Sequence, residues 1–164
     1  MPPRLAAVVA VSFLVSPPPH AQNVSPSPLT SVTATEAAGL RAWDAAVESM
    51  VREGSLRWRK TQEDPMVPGH RTERYDQYFR GVRVWGADVA RVVVSGVPQT
   101  MFGMLAQGIS IDTNPQLLEE QAAARFSVMA GPSGSVLSSP ELVILPTGLG
   151  NYVLSYRAVV STGY

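Results

Sequence analysis

Leu40, Trp43, Val47, Met50 and Val51 recur at spacings of three and four, the period of an amphipathic helix with a single apolar stripe. Thr33-Ala34-Thr35-Glu36 precedes them with the form of a capping box, a hydroxyl at the N-cap and a carboxylate three residues on. Gly54 stands where a C-terminal glycine closes a helix. The spacing predicts a helix over 34–53. Its charges fall on the opposite side, where Glu48 and Arg52 form an i,i+4 pair, and the stripe of Trp and Met reads as a face turned to a core.

After Gly54 the period changes from 3.6 to 2. Leu56 and Trp58 alternate with Arg57 and Arg59, and the run from Glu63-Asp64-Pro65 to Pro68-Gly69 supplies turn residues. From Arg71 to Val94 the chain is rich in Tyr, Phe, Val and Trp, interrupted at Gly81 and Gly86. Val94 then meets Ser95-Gly96, a two-residue hairpin signal, and Val97 to Leu105 can return antiparallel. A meander of three or four strands follows, with the helix over one face. Pro98 has no N–H for a ladder, so the returning strand should begin irregularly or lie at an edge.

A second helical pattern runs through Leu118, Ala122, Phe126 and Met129, with Asn114 as its cap and Pro115 in its first turn. Gly131-Pro132-Ser133-Gly134-Ser135 stops it. Leu142 to Leu145 is a short apolar strand, residues 146–150 a turn, and Tyr152, Leu154, Tyr156, Ala158 and Val160 alternate. Helix followed by strands thus occurs twice without a residue-level repeat. The expected class is α+β, a helix packed on an antiparallel β-sheet, in two small consecutive units spanning 33–112 and 113–164.

The beginning of the chain has a different character. Arg4 and the apolar run from Leu5 to Val15, followed by prolines and His20-Ala21, read as a secretory signal peptide over 1–22. Residues 23–32 have the Pro/Ser composition of a disordered leader. The product would be secreted or periplasmic, with no membrane contact after signal removal.

Thirteen Lys+Arg balance thirteen Asp+Glu in 164 residues, and cysteine is absent. The core must therefore form without disulfides or thiolate-bound zinc. Zero net charge argues against a nucleic-acid partner, and Arg57-Trp58-Arg59-Lys60, read in alternation, gives the solvated cations of an edge strand. Beyond residue 22 the chain has a single histidine, His70, and no HExxH. Gly131-Pro132-Ser133-Gly134-Ser135 lacks the GxSxG order of a nucleophile elbow. Glu73 and Asp76 fall on opposite faces of a strand, and Glu119 and Glu120 suit the first turn of a helix. These patterns predict neither catalytic nor metal-binding residues, no cofactor, and no enzymatic activity of the chain itself.

Residues 74–89 read Arg-Tyr-Asp-Gln-Tyr-Phe-Arg-Gly-Val-Arg-Val-Trp-Gly-Ala-Asp-Val. This segment resembles the motif of the fungalysin/thermolysin propeptide domain, with Arg74, Tyr75, Gln77, Gly81, Val82, Val84, Gly86 and Val89 at matching places. Downstream, residues 111–122 look like that family's linker and helix start, and Tyr152 to Val160 is similar to a PepSY-like segment. Arg83 stands where the family usually has Pro, Ala87 where Gly is frequent, and Leu118 where Ser caps the helix. The resemblance implies a cystatin/PepSY-like fold with the second unit incomplete. It also implies the pro-region of a secreted zinc metalloendopeptidase, acting as intramolecular chaperone and inhibitor, whose partner is the catalytic domain in cis or in trans. A freestanding exported protease inhibitor, or a ligand- or protein-binding module, is the alternative. Gly81 and Gly86 are expected to permit a bend or bulge, and Tyr75 and Gln77, two apart, to share a strand face.

Overall fold

A computed structural model describes residues 29–147 and 150–162. The signal segment 1–22 and residues 23–28 of the expected leader lie outside the described residues. The elements are β1 (Leu29–Ala34), α1 (Ala37–Arg52), β2 (Leu56–Glu63), β3 (His70–Phe79), β4 (Val82–Val94), β5 (Val97–Ala106), α2 (Glu119–Ala130), β6 (Ser135–Val136), β7 (Glu141–Pro146), β8 (Tyr152–Arg157) and β9 (Val160–Ser161). The class is α+β, with two helices and a mostly antiparallel sheet.

Strands β1-β5-β4-β3-β2 lie side by side and antiparallel. The β4–β5 turn is Ser95-Gly96, both at positive φ (50° and 83°), the two-residue geometry whose twist matches the flanking strands. Arg80-Gly81, at 49° and 85°, closes β3 onto β4 in the same way. Pro98 pairs with Val93 and Thr100 with Val92, so β5 starts with a bulge at the intervening residue. It is an interior strand, because β1 lies on its other side.

The N-terminal boundary departs from expectation. Residues 29–32, read as leader, belong to β1, and Thr33 and Ala34 continue that strand instead of opening the helix. Val32 and Ala34 alternate into the core (1% and 5% exposed), and their burial between β5 and α1 outweighs the polar character of Thr30, Ser31 and Thr33. Helix α1 accordingly starts at Ala37 with Glu36 at the N-cap and no side-chain cap bond. At its other end the Ser55 N–H reaches Met50 O (2.9 Å) across Gly54, whose φ of 76° only glycine adopts readily. Leu40 and Val47 are buried against Leu56, Tyr75, Val89, Met101 and Leu105, each contributing about 2 kcal/mol, while Trp43 and Met50 pack at the margin.

The second segment docks onto the first. Strand β7 pairs in parallel with β4 through Arg83 and Val84, and β8 pairs antiparallel with β7, so the sheet has seven strands among the described residues. β4 thus has β5 alongside it from Asp88 to Val94 and β7 alongside it at Arg83 and Val84, with Gly86 (φ 79°) between the two stretches. Helix α2 begins at Glu119, later than Pro115. Asn114 is engaged in a local turn in which its N–H donates to Asp112 Oδ1, and the helix is opened by Gln121 Oε1 accepting the Leu118 N–H. Ala122, Phe126 and Ala130 bury against Tyr156, Ala158 and Val160, whereas Met129 is largely exposed.

Candidate functional site

The eight motif residues map onto the β3–β4 hairpin, and most have a structural task. Tyr75 and Val89 are opposite each other in the core beneath α1. Val82 and Val84 line a separate apolar cluster with Ile144. Gly81 forms the turn and Gly86 bends β4. Four residues of β4, Val84 to Ala87, stand between the Arg83 and Asp88 pairs, so Gln77 of β3 is paired with no β4 residue while it keeps its regular register opposite Leu56 of β2, as Tyr75 does opposite Trp58. The Gln77 amide accepts from Ala106 N (2.7 Å) and donates to Ala106 O (3.0 Å), pairing with the β5 backbone as a strand would. Arg74 is the motif residue that faces the side of the sheet free of α1.

Beneath α1, Glu73, Arg91, Tyr75 and Asp44 form a polar network. Glu73, 8% exposed, accepts from Arg71 Nε (2.8 Å), Arg91 Nε (2.8 Å) and Tyr75 OH (3.2 Å). Arg91 also donates to Asp44 on α1, tying the helix to the sheet. Burial pushes the Glu73 carboxyl up, but hydrogen bonds from Arg71 and Arg91 outweigh it and hold the carboxyl below the ordinary range. Burial opposes the charge on Arg91 too, and its bonds to Asp44 and Glu73 reverse the balance and raise its pKa. Burial likewise raises the Tyr75 phenol. This network ties α1 to β3 and β4.

The opposite face carries an array of cations and aromatic rings. Asp76, on β3, accepts from Arg59 at 2.9 Å and lies 3.7 Å from Arg83. Asp88, its cross-strand neighbour on β4, is bonded to Arg74 at 3.0 Å. Arg83 grips Glu141 of β7 with Nε and Nη2, both at 2.7 Å, and Arg157 of β8 approaches the same carboxylate at 3.4 Å. The hydrogen bond from Arg83 is the main reason the Glu141 carboxyl is held low and the Arg83 guanidinium high. Rings interleave with these charges: Trp85 lies between Arg157 (3.9 Å) and Arg83 (4.9 Å), Arg57 covers Tyr78 (4.2 Å), and Arg74 reaches Phe102 (6.0 Å). Lys60, opposite Arg74, completes the set. Phe102 and Met104 are 41% and 36% exposed at the β5 side of this face.

Sequence reading found part of this. It placed Arg57, Arg59 and Lys60 on an edge strand, which β2 is, and separated Glu73 from Asp76 onto opposite faces. It expected Trp58 to alternate inward with Leu56; Trp58 does keep that register, opposite Tyr75, but β2 is the edge strand and Trp58 stays 62% exposed. Asp88, Trp85, Glu141 and Arg157 carry no local signal, because Asp88 meets Arg59 and Arg74 only through the β2–β3–β4 pairing and the other three come together only where β7 and β8 join β4. His70 is half-buried at the start of β3 with Nδ1 3.1 Å from Asp64 of the β2–β3 turn. That carboxyl is lowered first by the Met66 N–H and then by His70.

Among the described residues no group of three or more His, Asp or Glu side chains is placed to hold a metal ion, and no helix is long and apolar enough to cross a membrane. No protein-family model matches the chain, and no curated protein matches it.

Proposed function

We propose that the chain is the pro-region of a secreted zinc metalloendopeptidase of the thermolysin or fungalysin type, with a cystatin/PepSY-like arrangement, which assists folding of the catalytic domain and holds it inactive. The observation that carries this reading is the position of residues 74–89. The segment that resembles the propeptide motif forms one continuous hairpin in the middle of the sheet. Its glycines occupy the turn and the bend, its valines and tyrosine the core, and its glutamine binds the β5 backbone at Ala106.

A pro-region acts by presenting a preformed surface to its protease, and a sheet with a helix on one side offers such a surface on the other. The departure at Arg83 supports a particular version of the reading. Where the family usually has proline, this chain has a guanidinium that fastens β7 to β4, so the two helix-and-strand segments act as one body.

Adding the full chain to a thermolysin-type protease should slow peptide hydrolysis, and adding it to the denatured catalytic domain should raise the yield of active enzyme. Failure of both overturns the proposal. Inhibition without improved refolding would favour a freestanding inhibitor acting in trans.

A further inference from the structure

We infer that the helix-free face of the sheet is a docking surface for a protein partner that presents clustered surface carboxylates. The basis is a segregation of charge that the neutral total conceals. Arg57, Arg59, Lys60, Arg74, Arg83 and Arg157 gather on this face against the three carboxylates Asp76, Asp88 and Glu141. The remaining described residues hold six arginines and ten carboxylates, so one side is net positive and the rest net negative.

The form of the array selects the partner. Each internal carboxylate serves two or more cations: Asp88 takes Arg59 and Arg74, Asp76 takes Arg59 and Arg83, and Glu141 takes Arg83 and Arg157. The guanidinium groups are thereby held in place and retain donors for a further acceptor. Stacking on Trp85, Tyr78 and Phe102 fixes their planes, which lowers the ordering cost of binding. Arg and aromatic side chains are the residues that most often anchor protein interfaces. The half-exposed Phe102 and Met104 add apolar area at the margin. A nucleic-acid backbone is a poorer fit, since a continuous line of phosphates would run over three interspersed carboxylates, whereas the acidic groups of a protein surface can be spaced between them.

This inference rests on the pro-region reading only for the identity of the partner. A short oligoglutamate peptide is a suitable probe for the face itself. Titrated into the full chain, it should shift the NMR signals of Arg57, Lys60, Arg74 and the Trp85 indole, with affinity falling as salt is added. The double substitution Arg57→Glu/Lys60→Glu, at two exposed positions outside the ion pairs, should weaken binding about tenfold. Arg41→Glu on α1 should leave it unchanged. Arg57→Gln/Lys60→Gln gives the same test with less perturbation should the reversal impair folding. The inference is overturned by absence of saturable binding, by shifts centred on α1, by indifference to both double substitutions, or by tighter binding of an oligothymidylate of equal charge. Inhibition of a thermolysin-type protease that survives Arg57→Glu/Lys60→Glu would remove this face and leave the pro-region reading standing. Oligoglutamate binding without inhibition or refolding would do the reverse.

Discussion

Arg83 and Glu141, 58 positions apart in the chain, meet through two 2.7 Å hydrogen bonds at the place where β7 joins β4. The ladder there has only two residue pairs, Arg83 with Val143 and Val84 with Ile144. The side-chain fork therefore supplies as many bonds as a ladder step and adds charge to them. Arg83→Ala should lower stability by about 1–2 kcal/mol. Hydrogen exchange should quicken in β7 and β8 more than in β5, and uniform quickening across the sheet would refute a local role.

Acid should loosen the same junction. The folded chain holds the Glu141 and Glu73 carboxyls below the ordinary glutamate range, so folding favours their ionised forms. Their contribution is complete above about pH 5 and is lost as pH falls through the depressed folded-state values. Urea midpoints measured across the acid range should decline for the natural sequence and decline less steeply for Glu141→Gln. Parallel curves would show that Glu141 does not contribute.

The network under α1 makes a larger demand. Arg91→Leu would leave Glu73 buried with only Arg71 to neutralise it, and would release Asp44 from the sheet. A loss of about 3 kcal/mol is expected, because removing one member of a buried pair strands the other charge. Adding Glu73→Gln to Arg91→Leu should recover part of that loss in a double-mutant cycle, whereas strict additivity would mean that the two side chains do not interact.

A fourth expectation concerns backbone contact. A Cβ on Gly103 would sit 2.9 Å from Val89 Cα and closer still to the Asp88 carbonyl oxygen, both on the neighbouring strand. Neither atom can yield without parting β4 from β5. Gly103→Ala should therefore cost about 3 kcal/mol or more, read from the thermal midpoint, whereas Gly54→Ala meets nothing within 4 Å and should cost only the about 1 kcal/mol of an unfavourable positive φ.

How much of this could be read in advance depended on how local the physics is. The meander from β3 to β5 was legible because alternation and the Ser95-Gly96 turn act over a few residues. Helix α1 was legible from its stripe, although its first turn was misplaced because Thr33 and Ala34 have a partner in β5 that no local pattern reveals. β1 was missed for the same reason: Val32 and Ala34 alone mark its inner side, among residues whose composition resembles a leader. Asn114 offered a credible cap and was used by Asp112 for a turn instead. Of the docking face, the cations of β2 were visible, but the ring and carboxylates that organise them, Tyr78, Asp76 and Asp88, come from β3 and β4, up to 29 positions away.

Strand β4 is thirteen residues long and borders β3, β5 and β7. It runs through both halves like a shared beam, so a break in the connection between β5 and α2 would not set the halves adrift. Two fragments cut there would be held together by the β4–β7 ladder and the Arg83 fork, and a nicked chain would keep the outline of the intact one. Processing within that connection would thus mark the molecule covalently while leaving its surface assembled. Dismantling it would require a cut that reaches β4 itself.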